Sequence, residues 1–131
     1  IEILRQLQDQ AWVGIGYLNL GLLQLVEGQP ANALAVTKDA FEVLKGTESW
    51  RVSEAHHLLA RCYLALEDLE HAQSEIGQAK ARFMDLGLFH RVYQAESTEF
   101  LIQDAQESGN TDEFQVISRE ELRYNFNHLG V

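Results

Sequence analysis

Slid against itself by 39 residues, the sequence superposes Leu20 on Leu59, Gly21 on Ala60 and Leu25 on Leu64, then Ala33 on Ala72 and Ala40 on Ala79. A period of that length marks a chain assembled from repeated supersecondary units, so it limits the fold before any single residue is weighed. Each block reads alike: an apolar-periodic stretch, a short break, and a second stretch whose alanines stand seven apart. The breaks are "EGQP" at 27–30 and "LEDL" at 66–69. Gly28 supplies the left-handed conformation that ends a helix, and Pro30 takes a first helical position, where its missing N–H is not needed. Asp68 is placed to cap the amides of residues 70 and 71. Breaks this short predict antiparallel helices. Gly21 and Ala60 admit the second helix of each pair, Ala33 and Ala72 make the reciprocal contact, and Ala40 and Ala79 fall two turns further along the same face.

From Ala11 to Val26, eleven of sixteen residues are apolar. A helix apolar all round is expected to have neighbours on several sides, at least one of them belonging to a longer chain or supplied by a partner. A single hairpin cannot cover its own apolar faces, so hairpins of this kind stack on one another. The length of 131 residues suits one domain, and a single proline leaves the long segments free to be helical. The third block is less regular. "LFHRVYQAESTEFLIQDAQ" is helical in composition and breaks at "SGN" (108–110), but no single shift aligns its small residues with the first two blocks. A further helix is expected within 111–128, starting at Thr111 or at Ser118 with a Ser118/Glu121 capping box.

The pattern resembles the tetratricopeptide repeat family over residues 9–86. The first block offers Tyr17, Leu20-Gly21 and Gln24, then Ala33, Thr37 and Ala40; the second offers His56, Leu59-Ala60 and Tyr63, then Ala72, Ile76 and Ala79. Gln24 and Thr37 depart from the family's aromatic preference, and no proline closes either repeat. The resemblance implies an all-α, right-handed superhelical solenoid of antiparallel helical hairpins with about six helices. Its parts would be a repeat over 9–46, a repeat over 47–86 and a degenerate closing hairpin over 88–128.

The resemblance also implies a concave groove lined by the first helix of each hairpin. With Gly14 and Ser53 as first positions, the groove would present Ile15, Leu18, Asn19, Leu22 and Leu25 from the first block. The second block would add Glu54, His57, Leu58, Arg61 and Leu64. Such a surface suits an amphipathic helix, or an extended peptide with apolar anchors and one acidic residue for Arg61. It does not suit the family's lysine-rich clamp for acidic tails, because only Asn19 and Arg61 are available and neither first helix carries a lysine. Alternatively, Ile15, Leu18 and Leu22 pack against another part of a longer chain.

Several chemistries find no support in the sequence. The net charge is −10, with −8 of it in residues 66–131, and an acidic surface repels phosphates and anionic headgroups, so neither direct nucleic-acid binding nor membrane binding is expected. Asn19 and Gln24 interrupt the longest apolar run. Cys62 is the only cysteine, which excludes an internal disulfide and favours a cytoplasmic setting. His56 and His57 are adjacent and point about 100° apart on a helix, so they form no i, i+4 metal pair; no metal or cofactor is expected. There is no phosphate-binding glycine loop, nucleophile elbow or zinc-protease motif, and "GIGYLNLG" lies inside an apolar helical pattern. Enzymatic activity is not expected. Trp12 and Trp50 stand at the entrance of each first helix and are read as hairpin-to-hairpin packing residues, with an exposed anchor for a partner as the alternative.

Repeats near 39–40 residues, with phrases such as "QAWVGIGYLNLG" and "VSEAHHLLARCYLALEDLEHAQ", are similar to the long-repeat arrays of large LuxR-type bacterial regulators. That similarity implies an excerpt of a longer chain: a regulatory protein–protein interaction module that binds a partner protein, a peptide or an effector and relays the event to an output domain. The alternatives are a scaffold or adaptor array, or a module that pairs with a second copy of itself.

Overall fold

The computed structural model describes residues 2–47 and 49–108, which form five α-helices and, among the described residues, no strand. They are α1 (Glu2–Val26), α2 (Pro30–Leu44), α3 (Arg51–Ala65), α4 (Leu69–Asp85) and α5 (Phe89–Ser108). The ends of α1 and α3, and the starts of α2 and α4, are each 39 residues apart. The helix expected within 111–128 lies outside the described residues.

Local chemistry accounts for the breaks. After α1 the amide of Gln29 donates to the carbonyl of Gln24 and that of Gly28 to Leu25, with Gly28 at φ 79°. The same pair of bonds recurs after α3 (Asp68 to Tyr63, Glu67 to Leu64) and after α4 (Leu88 to Phe83, Gly87 to Met84). Each closes a helix by one left-handed residue that satisfies two otherwise orphaned carbonyls. The left-handed residue is glycine twice, but after α3 it is Glu67 at φ 65°. Pro30 opens α2 at the first turn, as expected, and Asp68 caps α4 by accepting from the His71 amide at 3.3 Å.

One spacing governs the packing. Buried residues recur at 4-3-4 intervals: Gly14, Leu18, Gly21, Leu25 on α1; Ala33, Thr37, Ala40, Leu44 on α2; Ser53, His57, Ala60, Leu64 on α3; Ala72, Ile76, Ala79, Phe83 on α4. Helix α5 repeats it with Arg91, Ala95, Thr98, Ile102. This is the inner stripe of an α-helix. Within it small residues sit where a facing helix comes close: a Cβ on Gly14 would collide with Leu44, and one on Gly21 would lie 2.6 Å from the Thr37 hydroxyl. Thr37 therefore fits where an aromatic ring would not, and its hydroxyl donates to the Ala33 carbonyl at 2.6 Å.

Each helix packs on the next, and α1 and α5 also touch α3. The core has two parts that meet at α3. Ala55, Leu58 and Cys62 face Leu18, Leu22, Leu25, Ala40 and Leu44; Ala60 and Leu64 face Ile76, Phe83, Val92 and Ile102. Among the described residues the helix with neighbours on several sides is α3, while α1 packs on α2 and α3 and leaves its outer face open. Trp12, Val13, Tyr17, Leu20, Leu23 and Val26 of α1 are exposed. Leu20 is 44% exposed although Leu59, its counterpart one repeat on, is 5% exposed.

Candidate functional site

Helices α1, α3 and α5 converge on a cavity of about 40 Å³ lined by Leu18, Asn19 and Leu22 from α1, by Glu54, His57, Leu58 and Arg61 from α3, and by Arg91 and Gln94 from α5. Seven of the ten residues expected in a groove line it. Ile15 is half-buried beside them but not on the wall. Leu25 and Leu64 are core residues, one in each half of the hydrophobic interior. The inner stripe explains this, since both fall on its last position, where α1 and α3 meet α2 and α4.

The walls differ in chemistry. From Gln10 to Val26 helix α1 carries no charged side chain, so its wall is two leucines and an amide. The opposite wall is charged and largely removed from water. Arg51, Arg61 and Arg91 are each at most 7% exposed. Glu54 receives two of them: Nη1 of Arg51 lies 3.1 Å from Oε1 and 2.9 Å from Oε2, and Nη2 of Arg91 lies 2.9 Å from Oε1. The Trp50 ring carries the same two guanidiniums, 4.2 Å from Arg51 and 5.4 Å from Arg91. Trp50 is therefore a platform for cations, a contact between α3 and α5 that extends the packing role expected for it. Trp12 is exposed.

Two groups are tuned by this setting. Burial, then the nearby charges of Arg61 and Arg91, holds His57 well below the usual imidazole range, so it is neutral at pH 7. Its Nε2 meets the Thr98 hydroxyl at 2.7 Å, and its ring stands edge-on to Phe83. Burial and Arg91 also push the Arg61 guanidinium down to about 9, which leaves it charged at neutral pH. Of the charged side chains lining the cavity, two are basic and one is acidic, in a chain whose net charge is −10.

His56 is half-buried and reaches away from the cavity to Glu75, at 2.6 Å. His71 stacks on Tyr63 and binds Asp68, whose carboxyl that hydrogen bond lowers. Among the described residues no group of three His, Cys, Asp or Glu side chains could hold a metal ion, and no helix is long and apolar enough to cross a membrane. Arg91, Gln94 and Thr98 were not anticipated. They come from the third block, whose small residues no single shift aligns with those of the first two, although its buried positions keep the same 4-3-4 spacing. Compared with known families, characterised proteins and solved structures, the chain matches none of them.

Proposed function

We propose that the chain is a tetratricopeptide-like binding module, a stack of helical hairpins continuing as a solenoid, whose site takes a protein segment or peptide bearing an apolar side chain next to a carboxylate. The observation that carries this reading is the pairing of a charge-free leucine wall with Arg61 and Arg91, both nearly removed from water. Arginine forks suit carboxylates, and on this wall the two arginines outnumber the one carboxylate, Glu54. The cavity holds about two or three waters or one carboxylate head, too little for a nucleotide. The leucines would anchor the rest of the segment.

The contribution of α1, α3 and α5 to one surface supports the solenoid, because in such a fold the first helices line the same side. The similarity to long-repeat regulator arrays supports a regulatory use of the module, in which ligand binding is relayed to another part of a larger protein. A scaffold or adaptor use would employ the same site without relay.

The test uses two blocked dipeptides, N-acetyl-leucyl-glutamate and its glutamine counterpart, both as methylamides. NMR of the arginine side chains reports binding. The expected result is a saturable shift of Arg61 and Arg91 by the glutamate compound alone, lost in Arg61→Met. If the two compounds act alike, the carboxylate reading fails; if neither acts, so does the site.

A further inference from the structure

Helix α5 carries a row of aromatic side chains on its outer face. Phe89 is 76% exposed, Tyr93 69% and Phe100 67%. Standing four and seven residues apart, they share one side of the helix, opposite the side that brings Arg91 and Gln94 to the cavity. Tyr93 and Phe100 line an open groove with Glu96, Ser97 and Leu101. Aromatic rings left in water in this number call for a cover.

The two hairpins before it show what covers such a face. Helix α3 has two buried sides. Val52, Ala55, Leu58 and Cys62, with Ala65 at the edge, pack in the cluster that holds Ala33, Ala40 and Leu44 of α2. Forty residues on they become Val92, Ala95, Thr98, Ile102 and Ala105. All five are buried, and four of them pack in the cluster that holds Ala72, Ile76, Ala79 and Phe83 of α4. Helix α5 therefore meets the preceding hairpin as α3 does. On its other side α3 turns Ala60 and Leu64 to α4, along the stripe that begins with Ser53 and His57. The same forty-residue step carries that stripe to Tyr93, Ser97, Phe100 and Asp104, all exposed. On α3 the cover is the next helix in the chain, α4; on α1 it is again the next, α2, which reaches Gly14 and Gly21 through Leu44 and Thr37.

We propose that the occupant of the α5 face is the chain's own segment 119–131, docked antiparallel as the second helix of a third hairpin with Ser118 as its N-cap. The register comes from the two hairpins already formed. In both, the residues turned to the first helix stand four, eight and eleven positions past the N-cap: Ala33, Thr37 and Ala40 after Gln29, and Ala72, Ile76 and Ala79 after Asp68. Counted from Ser118, those positions are Leu122, Phe126 and Leu129, all apolar. Counted from Thr111 they are Gln115, Arg119 and Leu122, which would set two polar side chains against the aromatic face. Ser118 with Glu121 three residues on is also a capping box. Because Gly21 meets Thr37, the eighth residue past its N-cap, the corresponding pair is Phe100 with Phe126, and Ser97 lies beside Leu129. Two phenylalanines at that crossing set the helices toward the wide end of the usual 8–10 Å separation. This docking is independent of the cavity site.

Hydrogen exchange of the full 131-residue chain, read by mass spectrometry, tests the proposal. Peptides within 119–131 are expected to exchange at least about tenfold more slowly than an unstructured chain, at every protein concentration. Phe100→Glu should abolish that protection and leave peptides of α1 to α4 unchanged, since the Phe100 ring is 67% exposed. Ser97→Cys combined with Leu129→Cys, oxidised in air, should close an intramolecular disulfide, with which the buried Cys62 does not compete. An unprotected 119–131 overturns the proposal, as does protection that withstands Phe100→Glu or that grows with concentration, the mark of a second copy as the cover. If Phe100→Glu unfolds the chain, the disulfide decides: its absence, or a link between two chains in its place, overturns the proposal.

Discussion

Arg91 on α5 brings its Nη2 to 2.9 Å from Oε1 of Glu54 on α3, fastening the last described helix to the middle one at the edge of the cavity. Because Arg51 holds the same carboxylate, Glu54 is an acidic partner shared by two nearly buried cations. Glu54→Gln should destabilise by about 2–4 kcal/mol, somewhat under the usual figure for stripping a buried ion pair because Glu54 keeps a little solvent contact. Urea unfolding followed by circular dichroism measures it; a loss under 1 kcal/mol would mean that water solvates the arginines well.

The glycines of α1 and α4 should separate by face. Gly14→Ala and Gly21→Ala should each lower stability by about 1–3 kcal/mol, since the new methyl meets Leu44 or Thr37. Gly77→Ala, with nothing within 4 Å of the added carbon, should instead raise it by up to about 1 kcal/mol through helix propensity. Thermal melts of the three variants decide whether the register of α1 on α2 is right.

The left-handed helix ends predict a reciprocal pair. Gly28→Ala forces a methyl into φ 79° and should lose about 1 kcal/mol, while Glu67→Gly relieves a side chain held at φ 65° and should gain up to about 1 kcal/mol. A Glu67→Gly variant less stable than wild type would show that the Glu67 side chain contributes more than its backbone strain removes.

Stability should depend on pH through His57. Its folded-state pKa is depressed below the usual 6.5 by burial, so below that pH the unfolded chain takes up a proton that the folded chain refuses. The stabilisation is complete above about pH 6.5 and is lost as pH falls, at up to about 1.4 kcal/mol per pH unit. Denaturation midpoints at pH 7 and pH 5 for wild type and His57→Gln test this; the variant should show the smaller difference.

Cys62 should be inert in the folded chain. Burial pushes its thiol from 9.0 up to about 12, so almost no thiolate forms at neutral pH. Labelling by a disulfide reagent should proceed at the rate of unfolding. The same shift makes stability fall as pH rises above 9, because only the unfolded thiol then ionises. Rapid labelling under native conditions would place Cys62 at the surface.

The helix ends were legible residue by residue. Gly28, Pro30 and Asp68 act through bonds to neighbours within five positions, and such bonds depend on little beyond the local chain. The small residues Gly21, Ala33, Ala40 and their counterparts at 60, 72 and 79 likewise announced where helices touch, because close approach excludes larger side chains. The side of α1 that would be covered could not be read this way. Its two faces are both apolar, and burial depends on which helix stands beside each, so α3, with less grease and more neighbours, became the centre of the core. The site was half legible for the same reason. Leu18, Asn19, Leu22, Glu54, His57, Leu58 and Arg61 follow from the repeat. Arg91 and Gln94 reach them only because α5 packs on α3, a contact between residues some 37 positions apart that no local pattern encodes. Charges meeting at that range turn a leucine-lined surface into a cationic cavity; the repeat set its walls, and long-range packing set its charge.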